Sequence, residues 1–137
     1  MSAPLHPLAS LKAVIREALL ADAGVAALLG AAIHDAPPRG LKPPCLVLGD
    51  ARAEEAGTGE ADAAILELEL VVVTGERGSA QALAIAGAVR AALAGVLPAP
   101  EGHRLVSLMP RGMATRHDAA TDITRASLRY RAFLEPI

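Results

Sequence analysis

The sequence predicts an α+β domain: a mainly antiparallel sheet packed against one long helix, with an N-terminal helix, in the order α-α-β-β-β-α-β-β. Three observations carry that reading. Residues 64–73 (AILELELVVV) alternate apolar and charged side chains at a period of two, and residues 125–135 (RASLRYRAFLE) do the same. Between them, residues 79–97 repeat apolar positions at helical spacing. At 137 residues the chain is read as one domain, 1–137.

The elements follow in order. Leu8, Leu11, Ile15 and Leu19 share a helical stripe, with Lys12 and Arg16 on another face. Pro7 suits the first helical turn, where a missing N–H costs little. Residues 22–24 interrupt, and 25–29 (VAALL) form a second short helix ended by Gly30. Residues 31–34 are a brief first strand. Pro37, Pro38, Pro43 and Pro44 then forbid regular structure, because proline fixes φ and removes a donor. Residues 45–48 (CLVL) enter a buried strand that continues toward Arg52, and residues 50–62 are read as a polar, glycine-bearing loop before the next strand. In that strand Leu66, Leu68, Leu70 and Val72 share one face, with Glu67 and Glu69 on the other. Residues 75–78 turn into the main helix, for which Ser79 is the expected N-cap. Its stripe is Ile85, Val89, Ala92 and Val96, flanked by Ala82, Ala86 and Leu93, and Gly95 and Pro98 supply the stop signals. Residues 103–109 and 126–134 read as two last strands joined by 110–124. The final strand points Ala126, Leu128, Tyr130, Ala132 and Leu134 inward and Ser127, Arg129, Arg131 and Glu135 outward.

Composition narrows the function. Hydrophobic residues make up 53%, but much of that is alanine, and there is one tyrosine, one phenylalanine and no tryptophan. A core without aromatics loses the side chains that bury the most area, so burial in an oligomer would compensate. The net charge of −2 gives no global attraction to nucleic acid or anionic lipid. A single cysteine, Cys45, cannot form an internal disulfide and fits a reducing compartment. The start of the chain has no basic region followed by an apolar one, and no apolar run is long enough to span a bilayer. The expectation is a soluble protein, cytoplasmic at synthesis.

Catalytic equipment is hard to find. His6, His34, His103 and His117 are scattered without ligand spacing, which argues against a zinc site. His117 and Asp118 near Thr121 or Ser127 could be imagined as a nucleophile–base set, but no Gly-x-Ser-x-Gly elbow is present. Gly75-Glu-Arg-Gly78 precedes a helix yet lacks the Lys-Ser/Thr ending and the spacing of a phosphate loop. Cys45 sits in an apolar strand, favouring an inert thiol. No catalytic residue, metal ligand or cofactor is assigned.

Charge patterning points elsewhere. Glu67 and Glu69 line one strand face, and Arg129 and Arg131 line a face of the last strand. If the strands are neighbours, opposite-charge cross-strand pairs form, each contributing at most about 1 kcal/mol. That charged face is the expected subunit boundary. The two long loops, 50–62 with Glu54, Glu55 and Glu60, and 111–122 with Arg111, Arg116 and His117, are the expected contacts for other proteins.

Four stretches in this order resemble the tail terminator (tail completion) family of long-tailed phages and gene transfer agents. They are the opening helix followed by LADAGVAALLG (20–30) and Ile33-His34, PPCLVL (43–48), ALAIAGAVRAAL (82–93) and LRYRAF (128–133). Each is weak alone, and their order and spacing carry the likeness. The resemblance implies a non-enzymatic virion protein: a homo-oligomer, a hexameric ring, that caps the major tail tube protein and joins it to a head-completion or stopper protein. It implies that double-stranded DNA passes through the lumen without specific binding, that no membrane is involved, and that the ring sits at the head–tail junction. Another neck component, a head-closure or adaptor protein, is the alternative; a tail-tube protein and a small ligand-binding α+β domain are more distant ones.

Overall fold

Asp22 is the hinge on which the N-terminal helices turn. In the computed structural model, which describes residues 6–55, 63–75, 77–95 and 97–136, it ends α1 (Pro7–Ala21) and begins α2 (Ala23–Leu29). Its carboxylate accepts the Val25 N–H at 3.0 Å, which satisfies one of the donors a helix start leaves open. Pro7 occupies the first turn of α1, and His6 Nδ1 accepts the Leu8 N–H at 3.1 Å. Gly30, with φ +59°, terminates α2 in a conformation that other residues adopt only with strain.

The chain then forms β1 (Ile33–His34), crosses the proline-rich connector and enters β2 (Cys45–Glu55) and β3 (Ala64–Thr74). Helix α3 (Ala80–Leu93) follows, and β4 (His103–Asp118) and β5 (Ile123–Pro136) close the fold. The five strands lie in the order β1-β2-β3-β5-β4. Among the described residues the short β1–β2 pair is parallel, and β2–β3, β3–β5 and β5–β4 are antiparallel.

The helices share one core with one face of this sheet. Leu11, Ile15 and Leu19 of α1, Val25 of α2, and Ile85 and Val89 of α3 are buried with Leu66, Leu68, Leu70 and Val72 of β3 and Leu128, Tyr130 and Leu134 of β5. Each fully buried aliphatic side chain contributes about 1.5–3 kcal/mol relative to exposure. Ala82 and Ala86 are fully buried, so α3 presses close to the strands where a larger residue would hold it away. Polar bonds fix α1 in place: Arg16 Nε donates to the Ile33 carbonyl at 3.0 Å, and Ser10 Oγ to that of Glu101 at 3.0 Å.

The α+β class, the element order and the inward rows of β3 and β5 match the sequence reading, and the details differ in four places. First, the expected N-terminal helix α1 spans 15 residues and the main helix α3 spans 14, so the two are of comparable length. Second, α3 stops at Leu93, short of Leu97, and Val96 lies outside the described residues. Third, Ser79 makes no side-chain capping bond, because its backbone is already helical (φ −89°, ψ −3°) where a capping residue is extended. Fourth, both expected long loops begin as strand: 50–55 of the first and 111–118 of the second, with 56–62 outside the described residues. β2 runs on to Glu55, so only 56–63 separate it from β3, and β4 runs on to Asp118, so only 119–122 separate it from β5.

Candidate assembly face

The sheet face away from the helices is where the charged side chains collect. Register places them in rows across the strands. Arg52 of β2 lies opposite Glu67 of β3, which lies opposite Arg131 of β5. One row on, Glu69 lies opposite Arg129, which lies opposite Gly112 of β4. The four residues expected at a subunit boundary, Glu67, Glu69, Arg129 and Arg131, are therefore cross-strand neighbours within one subunit. Glu67 makes its ion pair with Arg52, whose Nε and Nη2 both reach Oε2 at 2.7 Å. Both side chains are about half exposed or more, so the pair contributes at most about 1 kcal/mol.

Two β-bulges shape the second row. The β2–β3 register slips between Leu48 and Ala51, and the β4–β5 register slips between Pro110 and Gly112. A bulge places two residues against one and re-aims a side chain. Here Asp50 and Arg111 both line the same open groove of about 430 Å³, together with Arg52, Glu67, Glu69 and Arg129. Glycines make the room: a Cβ on Gly49 would sit 3.2 Å from the Glu69 carbonyl, and one on Gly112 would sit 3.0 Å from Arg129 Nη2. The row thus runs from acid to base across the sheet, Asp50 and Glu69 on one side, Arg129 and Arg111 on the other.

Toward the β1 end the same face is closed. Cys45, Val47 and Val73 form a small second core with Leu41, Val71, Ala32 and Ile123 against it. Burial pushes the Cys45 thiol up, which suits an inert apolar side chain.

The hairpin end of β4 and β5 is pinned by polar contacts. Asp122, in the left-handed region at φ +55°, receives Arg77 Nε at 3.4 Å and His117 Nε2 at 3.3 Å. Thr74 Oγ1 donates to the Thr124 carbonyl at 3.3 Å. Asp118 caps the turn by accepting the Ala120 N–H at 2.9 Å, and that backbone bond holds its carboxyl below the ordinary aspartate value.

The expected contact residues divide accordingly. Glu54 and Glu55 stand on β2, and Arg111 and Arg116 on β4, in strands and not in loops; His117 is the last-but-one residue of β4, and Glu60 lies outside the described residues. The polar run misled because neither side of these strand ends is covered by a helix, so no alternation marks them. Reasoning from the sequence also missed Asp50, Arg52 and Gly112; strict alternation past Leu48 would put Arg52 on the core side, and only the bulge turns it to face Glu67. The histidines stay apart: His6 caps α1, His34 ends β1, His103 is buried with Nδ1 2.9 Å from the Glu101 carbonyl, and His117 meets Asp122. Among the described residues no group of three or more His, Cys, Asp or Glu could hold a metal ion, and no helix is long and apolar enough to cross a membrane.

What the fold and this face define is a small α+β structural domain whose distinctive chemistry lies on an open charged surface and along sheet edges. Comparison with known proteins identifies its kind. Residues 13–135 match the family model described as Tail completion protein gp17, and the chain belongs to that family of phage-type tail structural proteins. It is also similar to a chain in a solved structure titled "Virion of native gene transfer agent (GTA) particle": 32% identity, TM-score 0.81, 93% of this chain and 96% of that one covered. No curated protein sequence matches significantly.

Proposed function

We propose that this chain is the tail terminator subunit of a phage-like or gene transfer agent particle. Copies close into a ring, a hexamer, on the head-proximal end of the tail tube and join it to a head-completion protein. Double-stranded DNA passes through the ring without being read, and no covalent step is involved. The observation that carries this reading is the tail completion family match over residues 13–135, supported by the likeness to a chain of a gene transfer agent virion.

The surfaces fit such a role. The charged rows containing Glu67, Glu69, Arg129 and Arg131 cross the sheet toward its outer strands, where the subunit boundary lies. The β4–β5 tip with His117, and the segment joining β2 to β3 with Glu60, meet the tube and neck proteins. A net charge of −2 keeps the conduit from holding phosphate, whose binding would rise steeply with each added cation.

Electron microscopy of tube protein polymerised with and without this chain tests the proposal. Tubes should become shorter, more uniform and capped at one end. Unchanged tube lengths with no added density at either end would defeat it.

A further inference from the structure

We infer that neighbouring copies join edge to edge, the open strand β4 of one adding to the uncovered stretch 49–55 of β2 in the next, with acid facing base across the seam. The inference rests on the ring reading and specifies how the ring is held.

Both edges are open. Strand β1 covers β2 only at Leu46 and Val47, so 49–55 has no partner on its outer side among the described residues, and β4 is the last strand of the sheet. An open row of backbone N–H and C=O groups is a template for another strand. Because β2 and β4 run in opposite senses within one sheet, a second copy continuing that sheet pairs them antiparallel.

Charge selects which edge meets which. Asp50, Glu54 and Glu55 on β2 have no ion-pair partner among the described residues, whereas Arg52 is already matched with Glu67. On β4, Arg111 and Arg116 are likewise unmatched, and Arg104 pairs with Glu135. One edge is therefore acidic and the other basic, so like edges repel and unlike edges attract. A contact between two different edges is heterologous, the kind that closes into a ring. Apolar surface agrees with this. The exposed large hydrophobic residues include Val106, Met109 and Met113, all on β4, with Met109 57% exposed.

Charge reversal at exposed positions tests the seam. Chains carrying Glu54→Arg and Glu55→Arg have two basic edges; chains carrying Arg111→Glu and Arg116→Glu have two acidic ones. Each alone should lose ring formation at least tenfold in concentration, by sedimentation and by electron microscopy with and without tube protein, while its circular dichroism stays that of the parent. Mixed one to one, they should recover it as alternating rings. As a second measurement, Ala53→Cys with Met113→Cys, which oppose each other when Glu55 faces Arg111 and Asp50 faces Arg116, lies on strands three spacings apart in one sheet, at least about 14 Å, too far for an internal disulfide. Oxidation of assembled rings should give a ladder of covalent multimers. Rings that form from either reversed chain alone, a mixture that fails while the parent assembles, or oxidised rings that stay monomeric on denaturing gels would overturn the edge pairing and leave the ring reading standing. A parent chain that forms no ring, alone or on tubes, overturns both.

Discussion

The two faces of β3 divide the molecule's tasks. On one side Leu66, Leu68, Leu70 and Val72 disappear under the helices; on the other, Glu67 and Glu69 are half-buried beside the exposed Arg129 and Arg131. The helix side is crowded and apolar and carries stability. The bare side holds charges whose neighbours are close but whose ion pairs are weak in water. A strand whose side chains alternate can serve both ends at once, and substitutions on the two faces should be separable.

The sharpest way to break the division is Leu70→Ala. The side chain is fully buried, so truncation should cost about 2–5 kcal/mol in urea unfolding and lower assembly only by depleting folded chain. If stability held and assembly failed, the faces would not be independent. Glu69→Lys is the mirror experiment: stability within about 1 kcal/mol of the parent, but ring formation impaired, because a cation then joins Arg129 and Arg111 in one groove.

Tyr130→Phe sharpens the comparison further. The Tyr130 hydroxyl is buried without a hydrogen-bond partner among the described residues, and burial also raises its pKa. Removing it should leave thermal stability unchanged or raise it by up to about 1 kcal/mol, since an unsatisfied buried group is lost. The smallest effect is at Asp118. Its carboxyl titrates below the ordinary aspartate value because the Ala120 N–H favours the charged form. That contribution is present above the unfolded value near pH 4 and disappears as pH falls through the folded one. Melting temperature measured from pH 6 to 2 should fall slightly less steeply for Asp118→Asn than for the parent.

Much of this architecture is legible in the sequence wherever a segment is half buried. β3 and β5 declare themselves because one side faces helices and the other water, so polarity alternates residue by residue. The stripes of α1 and α3 are legible for the same reason. The far halves of β2 and β4 are not. Beyond Leu48 and Met109 these outer strands are bare: Arg52, Ala53, Glu54 and Glu55, or Arg111, Ala114, Thr115 and Arg116, are exposed on both sides. Polar residues then replace the alternation, and Gly49 and Gly112 imitate loop punctuation while making room for Glu69 and Arg129. The cross-strand meeting of Glu67 with Arg131 and Glu69 with Arg129 was legible only as a conditional; register decides it.

The bulges at 49–50 and around Arg111 have a consequence for how the chain tolerates changes of length. Before the first, Leu46 and Leu48 face the core; after it, Ala51 and Ala53 take that side, opposite Leu68 and Leu66. Losing one residue of the 49–50 pair would straighten the strand yet leave every other side chain on its present side. A deletion between 51 and 54 would instead turn the remainder of β2 over. The irregular spots in these strands are thus the positions where insertions and deletions are most easily absorbed.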